Sequence, residues 1–434
     1  MSLRLETPGA RRPTVTLGEI FTTLFGADAP LRFEAYDGST GGSHDAPIGL
    51  RLATPRAASY LATAPGSLGM ARAYIQGDLE IDGVHPGNPY DVLALIEDQL
   101  HMRRPAPGEA VRWLQGLGLR TLLPPEPPPQ EVRPFAKIGL KHGRNRDANA
   151  IKHHYDVSNR FYEMVLGPSM TYTCACYPTE DATLEQAQAH KYDLVARKLA
   201  LQPGQRLLDV GCGWGGMVRH AAEHYGVRAL GVTLSREQAT WAQERIKRDG
   251  LDHLAEVRHL DYRDVSESDF DAVSAIGLIE HIGVKNYAGY FAFLREKLRP
   301  GGRLLNHGIT RPDNKHAGLP RRGFIGRYVF PDGELTGSGD IVSAMEDANL
   351  EVQHHENLRV HYARTLAGWC DNLVDNWDEC VAEAGLATAK VWGLYMAGSR
   401  LGFERNGIQL HQVLATRTGD NGRSGYPLRH DFGV

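Results

Sequence analysis

A glycine-rich loop is the part of the sequence whose residue types and spacing most directly indicate ligand binding. Four of the six residues in Gly211–Gly216 are glycines, and Asp209 lies just before them. The apolar run Arg206–Val210 predicts a strand before the loop, and Met217–Gly226 predicts a helix after it. Because glycine lacks Cβ, the backbone can turn sharply and approach a ligand closely. We therefore expect a ligand at the carboxyl end of this strand, with a turn that serves packing alone as the alternative.

The glycine spacing distinguishes between two kinds of ligand. A dinucleotide site would have G-x-G-x-x-G and an acidic residue about 20 positions later. Here the spacing is G-x-G-x-G, and the next strand ends in Thr233, Leu234 and Ser235, without an acid. An aspartate before G-x-G-x-G resembles the pattern of S-adenosylmethionine (SAM) methyltransferases. The resemblance implies a sulfonium cofactor, which carries no phosphate.

The elements around the loop alternate between strands and helices. Further strands are predicted over Ala229–Leu234, Asp271–Ile279 and Gly302–Ile309, and a helix over Lys285–Leu298. Another helix is predicted to start at Ser235 as N-cap and to end at Gly250. Such alternation predicts an α/β fold with a mostly parallel sheet and helices on both faces. We expect a Rossmann-like SAM-dependent methyltransferase core with a smaller α+β N-terminal domain.

Composition excludes several classes of protein. The 434 residues include 48 Lys plus Arg and 52 Asp plus Glu, a net charge of −4 that argues against a nucleic-acid binder. The five cysteines contain no C-x-x-C pair, so neither a disulfide framework nor a metal site is predicted. No apolar run reaches the roughly 20 residues that cross a bilayer. We expect a cytoplasmic protein that contacts the inner face of the membrane peripherally.

Three regions follow from composition along the chain. We predict an N-terminal domain over residues 1–123, a linker over 124–150 and a catalytic domain over 151–434. The linker begins with the proline-rich Pro124–Pro134, which can also be an ordered surface strap. A basic stretch follows within residues 137–146 and is either a solvated face or a contact for anionic headgroups.

Longer motifs extend well beyond the glycine loop. They are HHYDVSNRFYEMVLGPSMTYTCACY, LLDVGCGWGG, GVTLSREQ, LDYRD, IEHIGVKNY, LLNHGI, YVFPDGEL and HYARTLAGW. In this order they resemble the cyclopropane-fatty-acyl-phospholipid synthase family, which includes the mycolic acid cyclopropane synthases. The resemblance covers about Ile151 to Thr416. The stretch Gly66–Gly83 also resembles the N-terminal domain of full-length bacterial synthases.

The resemblance implies a reaction and its site. SAM would methylate a cis double bond of a phospholipid acyl chain, and a bound bicarbonate would remove a proton from the resulting carbocation. The product would be a cyclopropane or a 10-methylene chain. The implied bicarbonate pocket is Cys174, Glu280, His307, Ile309 and Tyr362. The implied SAM contacts are Tyr172, Thr173, Asp209, Gly211, Gly213, Thr233, Gln238, Tyr262 and Arg263.

Alternatives remain open for these residues and for the function. Without the resemblance, we would interpret Cys174 as a small buried apolar residue, His307 as a core histidine and Tyr362 as an aromatic residue that only packs. Aromatic faces that would stabilise a cation, or only pack, are Tyr287, Tyr290, Phe291, Tyr328 and Phe330. Other functions are a methyltransferase for a soluble small molecule and a SAM- or lipid-binding protein without catalysis. Expected partners are phospholipid acyl chains at a membrane surface, a second subunit in a homodimer, and a reductase acting on a methylene product, with no nucleic acid.

Overall fold

The computed structural model describes residues 15–132, 157–315, 323–331 and 333–433. The basic stretch predicted within residues 137–146, and the first residues of the predicted catalytic domain, lie outside the described residues. The chain forms two compact units, Met1–Pro129 and Gln130–Val434. The division between them falls inside the predicted linker, and the domain assignment itself stays a prediction.

The first unit combines helices with a four-stranded sheet. In the sheet order β2-β1-β3-β4, only the pairing of β1 with β3 is parallel. Phe21 of the first helix stacks on Phe33 of the first strand, with ring centroids 4.4 Å apart. The bounds are α1 (Leu17–Phe25), β1 (Arg32–Ala35), β2 (Thr40–Gly42), β3 (Gly49–Leu52), α2 (Pro55–Thr63), α3 (Ser67–Ile75), β4 (Leu79–Asp82), α4 (Tyr90–Gln99) and α5 (Pro107–Leu117).

The second unit is built on a seven-stranded sheet in the order β10-β11-β9-β8-β5-β6-β7. Its strands are β5 (Arg206–Val210), β6 (Arg228–Thr233), β7 (Ala255–His259), β8 (Phe270–Ile276), β9 (Leu298–Thr310), β10 (Glu351–Asn357) and β11 (Gln409–Thr416). The strands from β9 to β7 are parallel, whereas β11 and β10 extend the sheet antiparallel beyond β9. The predicted mostly parallel sheet is confirmed.

Helices surround this sheet. They are α6 (Asn159–Leu166), α7 (Leu184–Leu199), α8 (Gly216–Tyr225), α9 (Arg236–Arg248), α10 (Ile279–Ile282), α11 (Tyr287–Lys297), α12 (Phe324–Tyr328), α13 (Ser338–Asp347), α14 (Arg359–Asp375), α15 (Trp377–Ala384) and α16 (Leu386–Glu404). Consecutive strand residues point to opposite faces. Both Leu207 and Leu208 are fully buried, as are Leu304 and Leu305, so the sheet is covered on both faces.

Two predicted element bounds are wrong near the site. The strand predicted to reach Ile279 ends at Ile276, and Ile279 starts helix α10. Gly277 adopts a φ of 76°, a conformation that ends the strand and that glycine allows readily. The helix predicted from Lys285 begins at Tyr287, after a 3₁₀ turn over Val284–Asn286.

Across the described parts of the chain, no helix combines the length and apolar character that a bilayer span requires.

Candidate active site

The glycine loop joins β5 to α8, as its spacing predicts. Gly211, Gly213 and Gly215 have φ values of 74°, 54° and 75°, which residues with a Cβ rarely adopt. The amides of Gly211 and Cys212 both donate to the carbonyl of Val232 on β6, at 2.9 and 3.0 Å. The loop is therefore fixed to the neighbouring strand at the carboxyl edge of the sheet.

Asp209 lies on β5 immediately before this loop. Its side chain is buried, and Oδ1 accepts a 2.6 Å hydrogen bond from Ser274 Oγ on β8. Burial raises the pKa of Asp209 to about 6, against the opposing effects of the Ser274 hydrogen bond and the Lys191 ammonium. The carboxylate is thus held in place at the loop by the adjacent strand.

The predicted cofactor residues after β6 contact each other. The Thr233 hydroxyl donates to Gln238 Oε1 at 2.8 Å, and the amide of Ser235 donates to Thr233 Oγ1 at 3.2 Å. Ser235 caps α9 by accepting from the amide of Gln238 at 3.2 Å, which confirms it as the predicted N-cap. This cap places Gln238 beside the end of β6.

Tyr262 and Arg263 lie in a 3₁₀ turn that follows β7. Two guanidinium nitrogens of Arg263 donate to the carboxylate of Asp261, at 2.8 and 2.6 Å. The Tyr262 ring packs edge-on against Tyr290, with centroids 5.6 Å apart. The Arg263 charge is therefore paired within the turn, and Tyr262 is fixed against α11.

The segment with Tyr172, Thr173 and Cys174 is held by polar side chains of α7. Lys191 Nζ donates to Thr173 Oγ1, and Gln188 Nε2 donates to the carbonyl of Thr173, both at 2.9 Å. Burial lowers the pKa of Lys191 to about 8. Gln188 and Lys191 were not among the predicted site residues. Their spacing of three residues on the helix that precedes β5 was the available signal.

Cys174 is fully buried and stays a thiol. Burial raises its pKa well above the usual value, so it does not act as a thiolate nucleophile. Its Sγ lies 3.8 Å from the carbonyl oxygen of Leu358, and the amide of Tyr362 donates to that carbonyl at 3.2 Å. Two residues of the predicted bicarbonate pocket, far apart in sequence, thus meet at Leu358.

Glu280, His307 and Ile309 come together where β8 and β9 end. The amide of Ile309 donates to Glu280 Oε1 at 2.6 Å, and the amide of Gly277 donates to the carbonyl of His307 at 2.8 Å. The backbone amide of Ile309, a residue of the implied bicarbonate pocket, is therefore bonded to the carboxylate of Glu280. A Cβ at Gly308 would lie 2.2 Å from Cγ2 of Ile279, so glycine is required for this approach.

Two buried polar atoms in this group have no hydrogen-bond partner within the described part of the chain. Glu280 Oε2 and His307 Nε2 are buried without a hydrogen bond from the described residues. Burial raises the pKa of Glu280 to about 7 and lowers the pKa of His307 well below its usual value. Unpaired buried polar atoms are costly, and a small ligand that both donates and accepts hydrogen bonds would satisfy them.

An aromatic cluster packs around Tyr172. Its hydroxyl donates to that of Tyr395 at 3.0 Å, and its ring centroid lies 5.4 Å from Trp369 and 5.7 Å from Trp392. Tyr362 packs edge-on against Trp369 at 6.1 Å. The predicted site residues Tyr172 and Tyr362 therefore belong to one cluster with aromatic residues of α14 and α16 that sequence analysis did not select.

The aromatic residues that sequence analysis proposed are distributed differently. Tyr287, Tyr290 and Phe291 belong to the hydrophobic core between α11 and the sheet. Tyr328 stacks on Phe324 at 5.1 Å. Only Phe330 of the proposed set has a described ring contact with the Tyr172 cluster, at 5.8 Å from Tyr395.

The segment of Thr173 also adjoins the end of β8. A Cβ at Gly277 would lie 2.8 Å from Cγ2 of Thr173. Asp209 on β5 pairs with Ser274 on β8, and Ile276 on β8 pairs with His307 on β9. These contacts bring Thr173, Asp209 and His307 to one edge of the sheet.

Comparisons with known proteins identify this arrangement. The family model described as mycolic acid cyclopropane synthetase matches residues 142–413. A probable fatty acid methyltransferase of Mycobacterium tuberculosis is 59% identical over 95% of this chain and 96% of its own length. The chain belongs to the mycolic acid cyclopropane synthetase family.

Other members support this assignment. A cyclopropane-fatty-acyl-phospholipid synthase of Escherichia coli is 35% identical over 62% of this chain and 68% of its own length. The mycolic acid cyclopropane synthase CmaA1, solved with SAH and CTAB, is 31% identical with a TM-score of 0.58. That match covers 62% of this chain and 97% of CmaA1. The protein is thus a SAM-dependent methyltransferase of the cyclopropane synthetase family.

Proposed function

We propose that this enzyme transfers a methyl group from SAM to the cis double bond of an acyl chain in a membrane phospholipid. A bicarbonate held beside the acyl chain would then accept a proton from the methylated chain. The observation that carries the proposal is that Glu280 Oε2 and His307 Nε2 are both buried and have no hydrogen-bond partner among the described residues.

The residues at the loop fit SAM. Bound there, SAM supplies an electrophilic methyl group on a positively charged sulfur. Gly211 and Gly213 keep the loop open for close approach, and a Cβ at Gly213 would meet no atom within 4 Å. Asp209 provides negative charge at the loop, while Thr233 and Gln238 form a bonded polar pair at the adjacent strand end. Tyr172, Thr173, Tyr262 and Arg263 complete the proposed SAM contacts.

The residues at the end of β9 fit a small anion that carries a hydroxyl. A neutral His307 donates a hydrogen bond, and Glu280 accepts one from the hydroxyl of bicarbonate. Ile309 serves the pocket by holding Glu280 through its amide. Cys174 and Tyr362 line it from the segment and helix that meet at Leu358.

The aromatic cluster fits the charge that develops on the acyl chain. An aromatic face stabilises a nearby cation by roughly 0.5–2 kcal/mol, more where water is excluded. In this cluster, Trp369 is fully buried and Tyr172 is half-buried. The cluster would also exclude water, which otherwise adds to a carbocation.

The position of the base decides the product. Loss of a proton from the new methyl group closes a cyclopropane on the adjacent cationic carbon, whereas a hydride shift onto that carbon before the methyl group loses a proton leaves a 10-methylene group. We expect one of these two products, and a methylene product would require a reductase as partner to saturate it. SAM with a deuterated methyl group separates them, because NMR shows a vinylidene signal only for the methylene product.

The setting of the reaction is part of the same proposal. We place the enzyme in the cytoplasm, peripheral to the inner face of the membrane. All five cysteines, which lie in the described regions, are unpaired, as a reducing compartment allows. The N-terminal unit would present lipid or form a homodimer. Sedimentation velocity tests the dimer, and removal of residues 1–134 should lower turnover on vesicles.

The test of the function uses oleoyl-phospholipid vesicles and SAM with a labelled methyl group. We expect the label in the lipid fraction with the wild type and strong loss of this transfer in Glu280→Gln. Glu346→Gln is the matched control because Glu346 is exposed on α13. Label that stays wholly in the aqueous phase with the wild type would refute a lipid substrate and favour a soluble one.

A further inference from the structure

Three polar side chains lie side by side across neighbouring strands and lead to the candidate site. Glu356 on β10 pairs with Gln412 on β11, and Gln412 pairs with His307 on β9. Directly opposed residues of an antiparallel pair project to the same face of the sheet. Glu356, Gln412 and His307 thus form a row of polar side chains across three strands. Of the three, only His307 was predicted as a site residue.

Lys198 of α7 joins the row from the helix side. Its Nζ lies 2.6 Å from Gln412 Oε1 and forms an ion pair with Glu356. Gln412 Nε2 lies 3.1 Å from Nδ1 of His307. The contacts therefore form a continuous chain from Glu356 through Lys198 and Gln412 to His307.

The donors and acceptors in this chain have one consistent assignment. A lysine ammonium only donates, so the Gln412 atom beside Lys198 must be the amide oxygen. The amide nitrogen then faces His307, and an NH₂ group only donates. Nδ1 of His307 must therefore accept, and the proton of a neutral imidazole lies on Nε2.

Burial and neighbouring charges favour this assignment of donors and acceptors. Lys198, Gln412 and His307 are all almost fully buried, whereas the Glu356 side chain is partly exposed. Burial lowers the pKa of Lys198, and the Glu356 carboxylate opposes this shift by stabilising the ammonium group. Burial, together with the nearby Lys191 and Lys198, lowers the pKa of His307 well below its usual value and keeps the ring neutral.

We infer that Lys198 and Gln412 are positioning residues that fix His307 in the tautomer with its proton on Nε2. The atom that carries this proton is the buried Nε2, which has no partner among the described residues, so the ring presents a donor to a ligand acceptor. The opposite tautomer would present a lone pair and repel an anion. The inference depends on the proposed function only for the identity of this acceptor as bicarbonate.

The direct test is ¹⁵N NMR of the full-length protein with ¹⁵N-labelled histidine. His307→Gln assigns the resonances by their disappearance. We expect the wild type to show a protonated Nε2 and an unprotonated Nδ1 at His307. A wild-type His307 with its proton on Nδ1 would overturn the inference, whatever the activity.

Two substitutions alter this series of hydrogen bonds while they keep side chains of similar shape. In Gln412→Glu, the carboxylate offers only acceptors, so we expect a proton on Nδ1. In Lys198→Met, the amide of Gln412 is free to rotate, so we expect both tautomers together. Gln409→Glu is the matched control on the same strand. Among the hydrogen bonds described, the side chain of Gln409 makes one only to Asn406. The histidine spectrum of this variant should match that of the wild type. A Lys198→Met spectrum with the wild-type tautomer alone would contradict the role of Lys198.

Bicarbonate titration of methyl transfer by Lys198→Met links the tautomer to the proposed reaction. Only the Lys198→Met molecules that keep the His307 proton on Nε2 would bind bicarbonate as the wild type does, so the half-saturating concentration should rise by the inverse of that fraction, about twofold for equal populations of the two tautomers. We expect this increase with little change in kcat at saturating bicarbonate. If the wild-type tautomer is as inferred but activity is independent of bicarbonate, the anion in the proposed function is wrong and the positioning role stands.

Discussion

Replacement of Glu280 by glutamine should stabilise the fold while it removes activity. Glutamine keeps the shape of the side chain and can still accept the hydrogen bond from the amide of Ile309 through its oxygen. It cannot ionise. The carboxylate of Glu280 is almost fully buried, and burial raises its pKa from the ordinary 4.5 to about 7. Above that pH, the wild type therefore carries a buried charge that the variant lacks.

The magnitude follows from this change in pKa. A tenfold change in an ionisation constant corresponds to about 1.4 kcal/mol, so the ionised carboxylate weakens the fold by roughly 3 kcal/mol above pH 7. The sign follows from the raised pKa. The wild type has its full stability below pH 4.5 and loses this contribution as the pH rises through about 7. The stability difference between variant and wild type should therefore be small at pH 4.5 and grow to about 3 kcal/mol at pH 8.

Urea unfolding of both proteins at several pH values between 4.5 and 8, in bicarbonate-depleted buffer, measures this difference. Glu346→Gln, at an exposed position, should follow the wild type at every pH. A Glu280→Gln variant that gains no stability between pH 5 and pH 8 would refute the buried ionisation of Glu280. Loss of methyl transfer by the same variant would show that this cost is retained for function.

Two further predictions concern glycine packing and a helix cap. Gly308→Ala places a Cβ 2.2 Å from Cγ2 of Ile279, so α10 must shift. We expect a loss of about 1–3 kcal/mol in urea unfolding together with reduced methyl transfer, whereas Gly289→Ala on α11, whose Cβ meets no atom within 4 Å, should be tolerated. Equal behaviour of the two variants would contradict the packing argument. Thr183→Ala removes half of the capping box that Thr183 and Gln186 form at the start of α7. The substitution should lower the free energy of unfolding by about 1 kcal/mol, and Thr183→Ser should retain most of the wild-type stability. An unchanged midpoint of urea unfolding in Thr183→Ala would show that the cap is dispensable.

Local features of the sequence predicted the elements that carry the cofactor loop. The strand Arg206–Val210 has the predicted bounds, and Ser235 caps the helix that follows the next strand. These features depend on short-range rules, because glycine conformation and helix capping involve residues within a few positions of each other. The motif resemblance likewise named a family that the comparisons confirm.

Contacts that form between distant segments were not predictable in this way. The strand that was expected to continue to Ile279 stops at Ile276, because Gly277 turns the backbone beside Thr173. The aromatic cluster around Tyr172 draws on α14 and α16, about 200 residues later in the chain. Apolar periodicity marks such residues as buried without indicating which of them meet.

The sequence by itself determined which chemical groups the enzyme has and the local elements that carry them. Tertiary structure alone decided how those groups are paired. Strand register sets Gln412 opposite His307, and helix packing brings Lys198 to the same amide. Register depends on the alignment of whole strands, and a shift of one residue would turn Gln412 to the other face of the sheet. The protonation of His307 is therefore a property of the folded sheet, although each residue involved is visible in the sequence.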